Sequence, residues 1–449
     1  MSPHTDPLAP LDLAFWNIES DAHPMHLGAL GVFTGEAPGA ARHAADLLMS
    51  RAPQVPGLRM RIRDVWYGAG GAVREPAPRF DPAEHVRLAA ATDDFHAAAG
   101  ALMERPLDRS RPPWETHVLP GADGVTFAVL FKFHHALADG LRALTLAAGV
   151  MDPQPEFAAR VPRPAEPAAA DGLLSRLLRP QALPGEIRRR LDSVGQALDI
   201  GASVAKATWD VRSAPALASG PTGTRRTAGV ALDLDAVQRI RKTTGGTVND
   251  VLIALVAGAL RSWLNERGET AEAIRPRALI PVSRRRPRSH QPQGNRLSGY
   301  LIRLPVDEPD PLARLRTVRA DMDRNKEEGA HRGAGAVALL ADHVPPLGHR
   351  LGGPFVAQAA RLLFDILVTS VPLPSLGLRL AGCPLTEVYP FAPLAQGQSL
   401  AVAISTYRGR VHYGLVADAE AVPDLERLAE ALRDEVRALA EAADSAEGP

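Results

Sequence analysis

The apolar run from Val125 to Phe133 passes directly into His134-His135-Ala136-Leu137-Ala138-Asp139-Gly140, and this stretch constrains the fold more than any other. A strand with almost no polar alternation is buried on both faces, so its sheet needs a covering layer on each side. That requirement is met by a layered α/β arrangement. Polar residues at the mouth of such a strand need a reason. If the strand continues through both histidines, alternation sends His134 and His135 to opposite faces, and only one can act as a base at a given site. Imidazole suits that role because its unperturbed pKa of ~6.5 lets it accept and return a proton at neutral pH. Asp139 can brace the turn that follows, and Gly140 allows a backbone angle or a close approach that a side chain would forbid. The plainer alternative is that His134, His135 and Asp139 simply cap and satisfy a sheet edge.

The rest of the chain reads as more of the same architecture. At 449 residues it exceeds what one hydrophobic core usually serves, which argues for two domains with a cleft between them. The first, 1–151, alternates strands and helices: Met25 to Phe33, a helix from Pro38, a hairpin over Arg59 to Arg74, a helix from Asp93 to Glu104, and the strand pair Trp114 to Leu119 and Val125 to Phe133. A Pro/Ala-rich and then amphipathic helical linker is expected over 152–224, with leucines at helical spacing between arginines. The second domain, 225–449, carries a short strand, a helix from Asp235, a helix over Val248 to Glu266, and strands at Ala278 to Val282, Leu297 to Leu304 and Phe364 to Val371. It ends in a hairpin turning at Arg408-Gly409 and an apolar-striped helix from Leu425.

Composition closes several routes. Fifty-one basic and 51 acidic side chains balance, so no bulk attraction to nucleic acid is expected. The single cysteine, Cys383, cannot form an internal disulfide, and the opening residues lack the regions of a signal peptide, which favours a cytoplasmic setting. Apolar runs fall short of the ~20 residues that span a membrane, so membrane or lipid-droplet contact would be peripheral. There is no Gly-x-Ser-x-Gly elbow, and Cys383 has no basic neighbour in sequence to activate it. Adjacent histidines without a Cys/His cluster make a poor tetrahedral metal site, so no metal or other cofactor is expected.

HHALADG resembles the HHxxxDG signature of the bacterial wax ester synthase/diacylglycerol acyltransferase family. PLAPLDLAFWNIESDAHPMHLGAL is similar to that family's opening segment, RPPWETHVL to its PLW region, TVNDVLIALVAGALR to its ND helix, NRLSGYLIRLP to its central strand, and YPFAPLAQGQSLAVAISTYRGRVHYGLVAD to its closing strands. The matches run in order from about Pro10 to Asp418. The resemblance implies two chloramphenicol-acetyltransferase-like domains, each a mixed sheet with helices, with a tunnel at their interface. It implies a CoA-dependent O-acyltransferase that moves a fatty acyl group from acyl-CoA, its co-substrate, to diacylglycerol or a long-chain alcohol, yielding triacylglycerol or wax ester without a covalent intermediate. His135 matches the catalytic histidine, Asp139 the loop-supporting aspartate, and His134 takes a lesser role.

Two departures from the family pattern stand out. Thr369-Ser370-Val371-Pro372-Leu373-Pro374 has Ser370 where an asparagine is usual and Leu373 where a glycine is usual. Pro113 replaces the leucine before Trp114. These leave open two other readings: acylation of a polar natural product or glycolipid, and a non-catalytic lipid-surface protein that keeps the fold. Substrate-lining candidates are Gly140, Trp114, Ser370 and Asn249. Asn249 can present its amide to substrate or to a developing oxyanion, while Asp250 fits a helix capping box with Thr247. Seven arginines lie between Arg275 and Arg296 with no acidic residue. Among them, Arg284, Arg285 and Arg286 can bind CoA phosphates or anionic lipid headgroups, or form a solvated loop.

Overall fold

The computed structural model describes residues 5–65, 71–153, 215–220, 222–283, 297–328, 364–373 and 377–447. The amphipathic stretch expected over Gly172 to Arg212, and Arg284, Arg285 and Arg286, lie outside them.

Among the described residues, two six-stranded sheets and one three-stranded sheet organise the fold. The small sheet joins β1 (Asp6–Pro7), β4 (Ala72–Pro76) and β3 (Met60–Asp64). The first large sheet runs β12 (Arg379–Leu380), β13 (Cys383–Phe391), β2 (His26–Thr34), β7 (Thr126–His134), β6 (Trp114–Pro120) and β5 (Val86–Leu88). It is served by α1 (Pro10–Ile18), α2 (Ala40–Arg51), α3 (Phe95–Met103) and α4 (Gly140–Ala148). The second runs β10 (Leu297–Arg303), β9 (Arg277–Ser283), β11 (Ile366–Pro372), β14 (Leu400–Tyr407), β15 (Arg410–Ala417) and β8 (Arg226–Asp233). Its helices are α5 (Leu234–Thr244), α6 (Val248–Glu266), α7 (Pro311–Glu328) and α8 (Leu425–Glu447).

β7 is buried on both faces, as its composition requires. Phe127, Val129, Phe131 and Phe133 enter the core beneath α2 and the small sheet, whereas Ala128 and Leu130 face the other way, into a cluster shared with Ala401, Ala403 and Val416 of the second sheet. That shared cluster couples the two halves. So does a close backbone approach: a side chain at Gly414 of β15 would sit 1.9 Å from the Pro390 carbonyl of β13. Thr227 of β8 also donates to the His96 carbonyl of α3 at 2.7 Å.

All strands of the second sheet follow residue 225 in the chain. β12 and β13, from the C-terminal part of the chain, complete the first sheet, where β13 pairs antiparallel with β2 from Phe391↔Gly28 to Leu385↔Phe33. At the far hairpin, Arg408 and Gly409 adopt φ of 47° and 76°, the geometry that a two-residue turn between twisted strands demands. α6 is apolar on nearly all sides because β-strands and helices surround it, and Tyr413 of β15 donates to its Leu252 carbonyl at 3.1 Å. Among the described residues no single helix is long and apolar enough to cross a membrane. The α5–α6 pair reaches that length only together, and it bends by 103°.

Candidate active site

β7 stops at His134, so strand alternation does not carry through to His135. The chain turns there instead, with Leu137 and Ala138 both donating to the His134 carbonyl at 2.8 and 3.2 Å. His134 is fully buried. Its own N–H donates to the Pro113 carbonyl at 2.9 Å, so the proline in place of leucine keeps the group the loop uses and gives up only an N–H. The His134 ring accepts the Ala136 N–H on Nδ1 at 3.0 Å, which leaves the ring proton on Nε2. Nε2 has no in-line acceptor; its nearest partner is Oε2 of Glu19 at 3.3 Å. The edge of Trp16 covers the ring, with centroids 4.9 Å apart.

His135 is half-buried as a residue, but its imidazole lies under Phe15 in a stack with centroids 4.0 Å apart. Its backbone N–H donates to the Met25 carbonyl at 2.8 Å. Burial of the ring pushes the pKa down to about 4, and the ring's hydrogen bond to its own carbonyl and the nearby charge of Asp139 recover only part of that. The ring is therefore neutral at physiological pH.

Asp139 is the N-cap of α4 and accepts the Arg142 N–H at 2.8 Å. Gly140 follows as the first helical residue. A Cβ there would lie 3.3 and 3.7 Å from the methyls of Val371, so the loop after β7 meets the end of β11 in the second sheet. Close approach, rather than an unusual backbone angle, is what the glycine provides. Ser370 precedes Val371 on β11 and is exposed.

The other sequence candidates belong to other elements. Trp114 is 2% exposed, packed between His85, Phe80 and Phe133, and its indole donates to the Leu58 carbonyl at 2.7 Å. That packing and bond account for it as a core residue. Asp250 forms the capping box with Thr247 at the start of α6, as the spacing predicts. Asn249 sits half-buried in that same first turn. Of the arginine-rich segment, Arg275 and Arg277 lie among the described residues, and each is bound to a carboxylate, Asp307 and Asp365 respectively. Cys383 does have a basic neighbour, Arg379, but burial outweighs it and holds the thiol above its ordinary range.

Three side chains that sequence patterns do not pick out complete the loop. Arg74 of β4, 5% exposed, donates to the Ala136 carbonyl at 2.8 Å and faces Asp12 of α1 at 3.5 Å. Glu19 accepts the Met25 N–H at 3.0 Å. Phe15 covers His135. All belong to α1, its exit or the small sheet. The available signal was the opening segment itself, where charged Asp12 and Glu19 flank an apolar Phe15-Trp16.

A family model of the wax ester synthase/diacylglycerol acyltransferase catalytic domain matches residues 8–252, and the C-terminal domain model of the same family matches 293–440. The probable diacylglycerol O-acyltransferase tgs1 of Mycobacterium tuberculosis is 30% identical across 96% of this chain and 95% of its own length. The tgs2 protein of the same organism is 30% identical across 97% and 99%. The solved wax ester synthase/diacylglycerol acyltransferase from Marinobacter aquaeolei VT8 superposes with a TM-score of 0.70 at 24% identity, covering 98% of this chain and 100% of that one. A trichothecene 15-O-acetyltransferase from Fusarium sporotrichioides shares the fold with a TM-score of 0.61 at 11% identity, covering 96% and 94%. The chain belongs to the wax ester synthase/diacylglycerol acyltransferase family and is an acyltransferase.

Proposed function

We propose that this enzyme transfers a fatty acyl group from acyl-CoA to a hydroxyl acceptor, diacylglycerol or a long-chain alcohol, with His135 as general base and no covalent intermediate. The observation that carries the reading is the placement of His135: its imidazole is stacked on Phe15, in the loop after β7 whose Gly140 meets Val371 of β11. The names of the M. tuberculosis and Marinobacter relatives support the choice of acceptors. The two substrates would reach His135 through a channel between the halves.

The neutral ring takes the acceptor's hydroxyl proton as the oxygen attacks the thioester carbonyl. The resulting tetrahedral oxyanion collapses, the C–S bond breaks, and the imidazolium returns the proton to the departing CoA sulfur. Asp139 favours the transient imidazolium through its charge. Asn249, in the first turn of α6 where backbone N–H groups and the helix dipole point outward, is the candidate for stabilising the oxyanion. The arginines at 284, 285 and 286 remain candidates for the CoA phosphates or for lipid headgroups.

Release of free thiol from a panel of acyl-CoAs, each offered with hexadecanol, diacylglycerol and short alcohols, identifies the acceptor class. His135→Ala lowers kcat by ~10² to 10⁴-fold, with KM for acyl-CoA and Tm close to the parent. Burial disfavours the charged ring, so the base stays competent as pH falls, and the acid limb of kcat/KM lies near 4 rather than 6.5. Full turnover by His135→Ala sinks the mechanism.

A further inference from the structure

We infer that Glu19 is a positioning residue for the reaction: its carboxylate holds the tautomer of His134 and the backbone of Met25, and through both it fixes His135. The inference rests on the reading of His135 as the base.

Two of the contacts that set the His135 backbone lead back to this carboxylate. Oε1 accepts the Met25 N–H at 3.0 Å, and the Met25 carbonyl accepts the His135 N–H at 2.8 Å. Oε2 faces Nε2 of His134 at 3.3 Å, and Nδ1 of that ring accepts the Ala136 N–H at 3.0 Å. His135 is thus held on its N-terminal side through Met25 and on its C-terminal side through His134 and Ala136. The Glu19 side chain is only 6% exposed, so its charge needs partners. Arg109 supplies one at 3.7 Å from Oε2, with its guanidinium 3.6 Å over the Trp16 ring. Burial alone would raise the carboxyl pKa, but the facing His134 ring, the Met25 N–H and the charge of Arg109 outweigh it and hold it below its ordinary value.

An ionised acceptor facing Nε2 favours the tautomer that the Ala136 contact requires. With the proton on Nε2, Nδ1 stays open to the Ala136 N–H. If the proton moved to Nδ1, it would meet that N–H head-on, and the turn would lose the bond that shapes it. A glutamine at position 19 tests this because its shape is preserved. Its Oε1 can still accept the Met25 N–H, but its NH2 then points at the Nε2 proton.

Selective ¹⁵N-histidine labelling of the full chain, with the His134 ring signals assigned by their loss in His134→Ala, reads the tautomer directly. The parent shows a protonated Nε2 and an unprotonated Nδ1. Glu19→Gln switches or mixes the tautomer and lowers kcat about 10 to 100-fold, with KM for acyl-CoA unchanged, because a displaced base loses reactive geometry rather than binding. Glu19→Asp, which keeps the charge on a stem one methylene shorter, falls between them in kcat and keeps the parent tautomer. Should the glutamine variant not fold, the aspartate variant carries the test through its intermediate kcat. An unchanged His134 tautomer in Glu19→Gln overturns the proposal, and so does a loss confined to Tm with parental kcat in either variant. The NMR measurement needs no turnover, so it stands even if His135→Ala proves active and the base has been misassigned.

Discussion

Both halves of the molecule bury an arginine with a carboxylate, and the two pairs do different work. In the first half Arg74 stands 3.5 Å from Asp12, a loose ion pair, and gives its short 2.8 Å bond to the Ala136 carbonyl. In the second half Arg314 of α7 meets Glu435 of α8 at 2.6 Å and also donates to the Glu308 and Pro309 carbonyls. Their exposures, 5% and 3%, do not distinguish them. What each guanidinium touches does: one braces the loop that carries His135, and the other ties two helices and the turn before α7. A buried charge therefore marks a site only through its second contact. Burial even lifts the Glu435 carboxyl above its ordinary range against the pull of Arg314, as expected for a pair whose desolvation is only partly offset.

The comparison breaks most visibly if both arginines are removed separately. Arg314→Ala leaves Glu435 buried without its cation and costs about 3–5 kcal/mol of stability, with kcat per folded molecule unchanged. Arg74→Ala has a stability cost of the same order and also lowers kcat, because the Ala136 carbonyl loses its donor. Denaturant unfolding gives the first quantity and active-site-normalised turnover the second. A parental kcat in Arg74→Ala, or a depressed one in Arg314→Ala, would erase the distinction.

Which parts of this were readable beforehand follows from how local each signal is. The run ending in HHALADG, the hairpin at Arg408-Gly409 and the Thr247-Asp250 capping box are all fixed by neighbours in sequence, and each appears where its pattern puts it. β13 was missed. Cys-Pro-Leu-Thr-Glu-Val-Tyr-Pro-Phe has two prolines and no clean alternation, and its pairing with β2 slips at Leu385/Glu387; its partner strand lies some 350 residues earlier in the chain. Arg74 and Glu19 were missed for a related reason. A single charged residue in a strand or at a helix exit has no periodicity to betray its burial, and only the fold reveals which carbonyl or ring it meets. For Trp114 a recognisable segment suggests substrate contact, while the fold shows what the segment cannot, a buried indole that donates to the Leu58 carbonyl.

A smaller difference is expected at the helix caps, which again come one from each half. Asp139 accepts the Arg142 N–H at 2.8 Å to cap α4, and Asp233 accepts the Asp235 N–H at 2.9 Å to cap α5. Replacing either with Ala costs about 0.5–2 kcal/mol. Only Asp139→Ala lowers kcat as well. Since the Asp139 charge raises the His135 pKa, its removal also moves the acid limb of kcat/KM to lower pH. Equal stability losses with identical pH profiles would show that Asp139 is a cap and nothing more.

The smallest effect should come from Gly140→Ala, and its sign is instructive. Alanine is the better helix former, which by itself stabilises the start of α4 by up to about 1 kcal/mol. Against this, the added Cβ comes within 3.3 Å of a Val371 methyl, so the α4 start and β11 must part by a few tenths of an ångström. The two terms nearly cancel, and Tm should move by no more than a few degrees. The displacement, however, falls between the His135 loop and the second sheet, where the two substrates are proposed to meet. A kcat loss of less than about tenfold, equivalent to 1.4 kcal/mol in the barrier, is therefore expected with the fold intact. Gly140→Val, which cannot fit beside Val371 by so small a shift, should lose both activity and stability. If Gly140→Ala leaves kcat untouched and Gly140→Val does as well, the contact between α4 and β11 has no part in the reaction.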